Sequence, residues 1–268
     1  MNTMQLQLIV FWSILIQNLA IVSSLMILAW LVYLVQRRGT LLDVAWAGSF
    51  FVVAIISTFT PYEGVLLRKI LFLAIVSMWS LRLTAFLFLR YYNDEEGGRW
   101  AALASRFKID SSFKFVLLFV GQGIATVILS WPFVLIFLNP DPDIQRIEWI
   151  GFALWIFAFL GETYADKQLR EFKSLPQNKD KVCQEGLWRY SRHPNYFFEW
   201  LIWLSYFLIA LAAPFGITAI ISPLLMWHII FHVPGIKALE DQAIIRKGEA
   251  YKEYQRTTNA FFPWFPIT

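Results

Sequence analysis

Cysteine is nearly absent from this chain. A single Cys183 excludes an intrachain disulfide and any cysteine-rich metal site. Histidine is almost as scarce, with three residues. His228 and His232 are four apart and share a helical face, yet no third ligand lies close in sequence and no H-E-x-x-H occurs, so no metal site is expected. No G-x-G-x-x-G follows a strand, and the Gly121/Gly123 pair lies inside an apolar run, which excludes a Rossmann nucleotide site. The net charge of +4 is spread over segments that also carry acids, so nucleic acid is not an expected partner.

Hydrocarbon fills the sequence instead. Apolar residues make up 58% and mean hydropathy is +0.54, well above a globular composition of roughly half apolar. Seven stretches approach or exceed the roughly 20 residues that carry a helix across about 30 Å of bilayer: 8–34, 42–60, 66–89, 113–138, 147–162, 197–213 and 215–233. The expectation is an all-α polytopic helix bundle of about seven transmembrane helices, one integral membrane domain over 1–268. The first stretch lacks a basic leading region and a small-residue cleavage site, so it is predicted to stay in the mature chain. Most of the 23 basic residues fall in segments 36–41, 90–112, 163–196 and 234–268, which alternate with segments that hold few. The positive-inside rule then puts the N-terminus outside and the C-terminal tail in the cytoplasm. Trp30, Trp131, Trp149 and Trp264, near the predicted span ends, fit an interfacial belt in contact with membrane lipids.

Polar residues inside or against these runs are the candidates for chemistry. Asp43 stands at the cytoplasmic end of the second stretch and Arg82 about two turns inside the third. Charges there are costly, and pairing them would lower the cost, whether the pair locks two helices or serves catalysis. Past the fifth stretch, helical spacing sets Glu162, Asp166, Arg170 and nearly Lys173 along one stripe, which suits a solvated helix with internal ion pairs as well as a binding ridge. The stretch "RYSRHPNYFFEW" (189–200) then re-enters the membrane. Pro194 suits the first turn of a helix, whose free N–H groups and positive dipole end lie beside Arg189, Arg192 and His193. Such a cluster can hold phosphate. Membrane anchoring would account for the arginines but not for Asn195 and Glu199, which share a face one turn apart at the hydrocarbon edge.

"GLWRYSRHPNYFFEW", followed by an aromatic helix and the tail "KGEAYKEYQRTTNAFFPWFP", resembles the C-terminal half of the steroid 5-alpha-reductase and sterol-reductase superfamily. "DVAWAGSF" and "WSLRL" narrow the resemblance to its bacterial-type DUF1295 branch. The resemblance implies a bacterial inner-membrane enzyme that takes NADPH in a cytoplasm-facing pocket and reduces a carbon–carbon double bond of a lipid or steroid-like substrate. It implies that residues 1–145 form the substrate side and 146–268 the cofactor-binding region. Asp166 and Arg170 would contact the nucleotide, Asn195 and Tyr196 would lie against it, Arg192 and His193 would meet its phosphates, and Glu240 and Tyr254 would stand beside the adenosine end. Lys173, Arg189 and Glu199 complete the expected cofactor set, with Asp43, Arg82 and His228 as catalytic candidates.

The sequence departs from the resemblance in its N-terminal half. The Gln-Glu pair that holds a steroid ketone is missing, and Trp79 stands nearest the place of the accompanying tyrosine, which argues against a 3-keto steroid. The rival class is an S-adenosylmethionine-dependent lipid or isoprenylcysteine methyltransferase, which shares an R-H-P-x-Y segment. Its paired glutamates match "KALEDQ" imperfectly. A non-enzymatic lipid-binding subunit is the third reading.

Overall fold

Long apolar runs in hydrocarbon must satisfy their backbone polar groups within the segment, so helices follow from composition. The computed structural model describes residues 3–59, 64–92, 114–233 and 235–267, and all regular structure among them is helical. The helices are α1 (Thr3–Gln36), α2 (Thr40–Phe59), α3 (Leu66–Tyr92), α4 (Val116–Leu129), α5 (Trp131–Phe137), α6 (Arg146–Ser174), α7 (Pro194–Ala210), α8 (Ile221–His232), α9 (Gly235–Lys247) and α10 (Glu249–Thr257). Most of the basic segment 90–112 lies outside the described residues.

Among the described residues, five stretches are long and apolar enough to cross a membrane: Leu8–Gln36, Thr40–Phe59, Leu66–Tyr92, Val116–Phe137 and Gly216–Lys247. This suits an integral membrane protein. The expected spans 147–162 and 197–213 do form helices but fall outside this group. α6 carries Glu148 and Glu162 at the two ends of its apolar stretch, and α7 is only 17 residues long. The expected fourth span stands as the stretch Val116–Phe137, with a local turn between α4 and α5, where Pro132 stands in the first turn of α5 and Ser130 turns its hydroxyl back onto the Thr126 carbonyl at 2.7 Å.

The chain divides into two compact units, Met1–Gly151 with Tyr206–Ser222, and Phe152–Ser205 with Pro223–Thr268. In the first, α1 and α2 reverse at Arg37, which adopts a left-handed conformation (φ 61°) while its N–H closes onto the Tyr33 carbonyl at 2.8 Å. Arg38 donates to the Tyr91 carbonyl at 3.0 Å, tying this turn to the end of α3. The core is aromatic. Phe50, Phe72, Trp79, Phe133 and Tyr206 are fully buried and meet edge to face at 5.1–6.5 Å. Large apolar side chains such as Ile16, Leu28, Leu67 and Leu81 stay exposed, as on helices surrounded by lipid.

One buried ion pair organises the end of this unit. Arg68, at the start of α3, is 1% exposed and Glu148, at the start of α6, is 0% exposed. Nε and Nη2 of Arg68 donate to the two carboxylate oxygens at 2.6 and 3.1 Å. Its remaining N–H groups reach the carbonyls of Asn139, Asp141 and Asp143 at 3.4, 2.7 and 2.6 Å, so every donor of the guanidinium has a partner. Glu148 also accepts the Gln145 N–H at 2.8 Å, half of a capping box at the start of α6. The 139–148 segment is thus wound around a single cation.

In the second unit two glycines set close approaches. A Cβ at Gly161 would fall 2.4 Å from the Phe198 ring, so glycine lets α7 lie against α6. At Gly186 (φ 56°) a Cβ would fall 1.8 Å from the Gln168 amide.

Removing the cation should unfold this arrangement first. Arg68→Met is expected to lower stability in detergent by about 3–5 kcal/mol, because it leaves a buried carboxylate unpaired. Adding Glu148→Gln should recover part of that loss, since the amide oxygen still caps α6 without a charge. Chemical denaturation of the three proteins checks this, and an Arg68→Met chain as stable as wild type would contradict it.

Candidate functional site

The segment before α7 is fixed to α6 by its own backbone. The Leu187 N–H donates to Gln168 Oε1 at 3.0 Å, and the Trp188 indole N–H to the Ala165 carbonyl at 2.9 Å. Trp188 packs with Phe172, Cys183 and Leu169. Burial pushes the Cys183 thiol up, which keeps it a neutral packing group. Pro194 then opens α7, as its fixed φ and missing N–H favour.

Arg192 is the hub. Its Nε and Nη2 donate to the two oxygens of Glu240 at 2.6 and 3.1 Å, a bidentate pair in which the side chains are 11% and 9% exposed. Nη1 donates to the carbonyls of Gln255, at 3.0 Å, and Thr258. Its backbone N–H reaches the Asn259 carbonyl at 2.8 Å. His193 Nε2 lies 3.1 Å from Glu240 Oε1, and Gln255 donates to Oε2 at 2.7 Å. The carboxylate on α9 therefore gathers a guanidinium, an imidazole and an amide.

The tail closes over the same segment. Tyr254, buried on α10, donates its hydroxyl to the carbonyls of Trp188 and Ser191. Burial pushes its phenol well above the usual range, so it acts as a neutral donor. Ser191 donates to the Phe261 carbonyl at 2.8 Å, and the Trp264 N–H to the Tyr190 carbonyl at 2.9 Å. Phe261 sits among Trp227, Phe231 and Phe197 at 5.1–5.7 Å.

Four of the residues expected to contact a cofactor, Arg192, His193, Glu240 and Tyr254, are thus brought together, but they bind one another and the tail. A second group lies along the first turns of α7. Asn195 donates to Asp166 Oδ1 at 3.2 Å, and the Tyr196 ring stacks on His193 at 5.6 Å. Glu199 is buried and accepts the Trp203 indole N–H at 2.9 Å, one turn along its own helix. Arg170, Lys173 and Arg189 are exposed, the first two on α6 and the third on the turn that α6 holds.

Among the catalytic candidates, Asp43 is buried in the first turn of α2 and Arg82 half-buried on α3. His228 lies exposed on α8 with its ring stacked on His232 at 4.7 Å. Gln255, Ser191 and Gln168 were not singled out by the sequence. Their partners lie 15 to 70 residues away, beyond the reach of any spacing rule.

Residues 29–258 match the family described as "Protein of unknown function (DUF1295)". The chain belongs to the DUF1295 family. It is 26% identical over 226 residues to the Schizosaccharomyces pombe "Uncharacterized protein C594.04c", covering 73% of this chain and 64% of that protein. To "Uncharacterized protein C9.08c" of the same yeast it is 35% identical over 87 residues, 27% of this chain and 30% of that protein. The chain thus spans less than two thirds of either relative. No solved structure matches it. The family's match begins before Asp43 and ends at Thr258, so every side-chain bond that Arg192 and Glu240 make in this DUF1295 member lies within it.

A lysine cannot reproduce the geometry of the hub. Arg192→Lys keeps the charge but cannot reach both Glu240 oxygens and two carbonyls at once, and should cost about 1–3 kcal/mol of stability. It should also speed limited proteolysis within 249–267. Wild-type stability together with wild-type cleavage would show that the network does not hold the tail.

Proposed function

We propose that this DUF1295 chain is a membrane-embedded, NADPH-dependent reductase of a carbon–carbon double bond in a lipid, with its nucleotide site on the cytoplasmic side. The observation that carries the reading is the fixed start of α7. Arg192 and Glu240 hold it from one side, and Asn195 and Asp166 pair across it on the other. A helix start held in this way offers backbone N–H donors at a positive dipole end, the usual setting for a phosphate.

The residues present fit a phosphorylated dinucleotide when the work is divided. Arg192 has four of its five N–H groups spent within the protein, so we assign it, with Glu240 and Tyr254, to positioning. Arg170, Lys173 and Arg189 are exposed cations on α6 and on the turn it holds, and they are the candidates for the phosphates and the 2′-phosphate. Asp166 and Asn195 supply a carboxylate and an amide for neutral polar groups of the nucleotide. The cofactor would supply a hydride to the electron-poor carbon of a conjugated double bond. The neighbouring carbon then takes a proton, and His228, whose imidazole can carry and donate one, is the candidate donor.

Ligand-dependent stability tests the reading. Purified protein titrated with NADPH should gain about 2.7 kcal/mol at 100 times its Kd, and NADH should stabilise less at equal concentration. Replacing Arg170 or Arg189 by Gln should remove a charge-assisted bond of about 1.5–3 kcal/mol and erase most of the preference for NADPH, leaving NADH binding nearly unchanged. If S-adenosylmethionine stabilises the protein and neither dinucleotide does, a methyltransferase takes the place of this proposal.

A further inference from the structure

The first unit contains a cavity of about 180 Å³ that the reductase reading does not use. Phe11 and Trp12 of α1, Trp131 and Leu138 at the two ends of the α5 segment, and Pro214 and Phe215 of the turn before α8 form its wall. Phe11, Trp12 and Trp131 meet edge to face at 4.9–6.1 Å, so three aromatic rings make a rigid side.

The polar atoms of this wall are occupied by one another. The Trp131 indole N–H donates to Thr218 Oγ1 at 2.9 Å, and that hydroxyl donates to the Phe215 carbonyl at 2.7 Å. A ligand here meets hydrocarbon alone. Apolar cavities of comparable size, about 150 Å³, stay dry and take apolar guests.

The rim is built at a conformational cost. Phe215 is one of two described non-glycine residues with positive φ, at 59°. That conformation is uncommon for a bulky side chain. It is held by the Gly216 N–H on the Ala213 carbonyl and the Thr218 N–H on the Phe215 carbonyl, both at 2.9 Å. A side chain at Gly216 would strike the Ala210 carbonyl at 2.0 Å, so glycine lets the turn pack its backbone directly on the end of α7. The result is an aromatic ring at the mouth of the cavity.

The mouth opens where lipid lies. Trp12 is 54% exposed within the apolar stretch Leu8–Gln36, and Phe215 is 50% exposed next to the stretch that begins at Gly216. α5 ends the stretch Val116–Phe137. The opening therefore lies at the ends of three stretches apolar enough to cross a membrane, and a ligand reaches it from the bilayer.

We infer that this cavity is a binding site for one acyl chain of a membrane phospholipid. It selects by apolar shape and makes no demand on the headgroup.

The test uses the full chain in nanodiscs of dioleoyl phosphatidylcholine doped with a phosphatidylcholine that carries a diazirine on one acyl chain. Photolabelling should concentrate on residues 8–12, 131–138 and 214–218, and saturate as the probe fraction rises. Leu138→Trp, which fills the cavity, should cut labelling of these segments at least tenfold, whereas Leu81→Trp, on an exposed face of α3 outside the cavity wall, should label as wild type. Labelling that rises in proportion to the probe and spreads equally over the exposed faces of α1 and α3 would show ordinary lipid contact and overturn the inference. The saturation measurement needs only the unaltered protein, so misfolding of the filled variant would not protect the idea.

Discussion

The bidentate contact between Arg192 and Glu240 is the constraint on which the C-terminal unit depends. Each partner alone would be an ill-placed charge at 9–11% exposure, and together they fix three parts of the chain at once. Arg192 brings the segment that opens α7, Glu240 brings α9, and the carbonyls of Gln255 and Thr258 bring α10 and the tail. Tyr254 repeats the device from the other direction, one hydroxyl set on two carbonyls of the motif segment. The charge of Arg192 is therefore used within the protein. What the motif offers a ligand is a helix start held still.

The first unit solves a related problem in the same way. Its 139–148 segment has little apolar side chain to bury, and it is organised by the guanidinium of Arg68. Buried ion pairs contribute little net stability against a well-packed apolar alternative, but breaking one is expensive. Here the pair gives the segment one centre, on which three carbonyls and a carboxylate converge. The two arginine hubs thus define the loops, while apolar and aromatic packing defines the helices.

Much of the helical plan could be read from apolar run length alone, because hydrocarbon leaves the backbone few alternatives. Run length carries less where polar residues interrupt that logic. α6 and α7 exist as helices, yet Glu148, Glu162 and a length of 17 residues keep them outside the five stretches apolar enough to span. Pro132 was the visible sign of the turn between α4 and α5. At the candidate site, the motif 189–200 was legible as a concentration of polar chemistry. The occupations of its side chains were not: Arg192 meets Glu240 across 48 positions and Arg68 meets Glu148 across 80, and neither pair has a local signature. The same blindness applies to Phe215, whose strained backbone no residue pattern announces.

The proposed reductase reading divides the labour: Arg192, Glu240 and Tyr254 would shape the site, while Arg170, Lys173, Arg189, Asp166 and Asn195 would face the nucleotide. Replacing the hub pair by apolar residues of similar size tests this division most directly. Buried pairs exchanged in this way are often neutral in stability. The account predicts that Arg192→Met with Glu240→Leu folds and weakens NADPH and NADH in the same proportion, so that their affinity ratio stays within about fivefold of wild type, a difference of about 1 kcal/mol. A folded double variant that loses NADPH affinity a hundredfold while NADH binding stays unchanged would contradict it, because Arg192 would then be holding the 2′-phosphate itself.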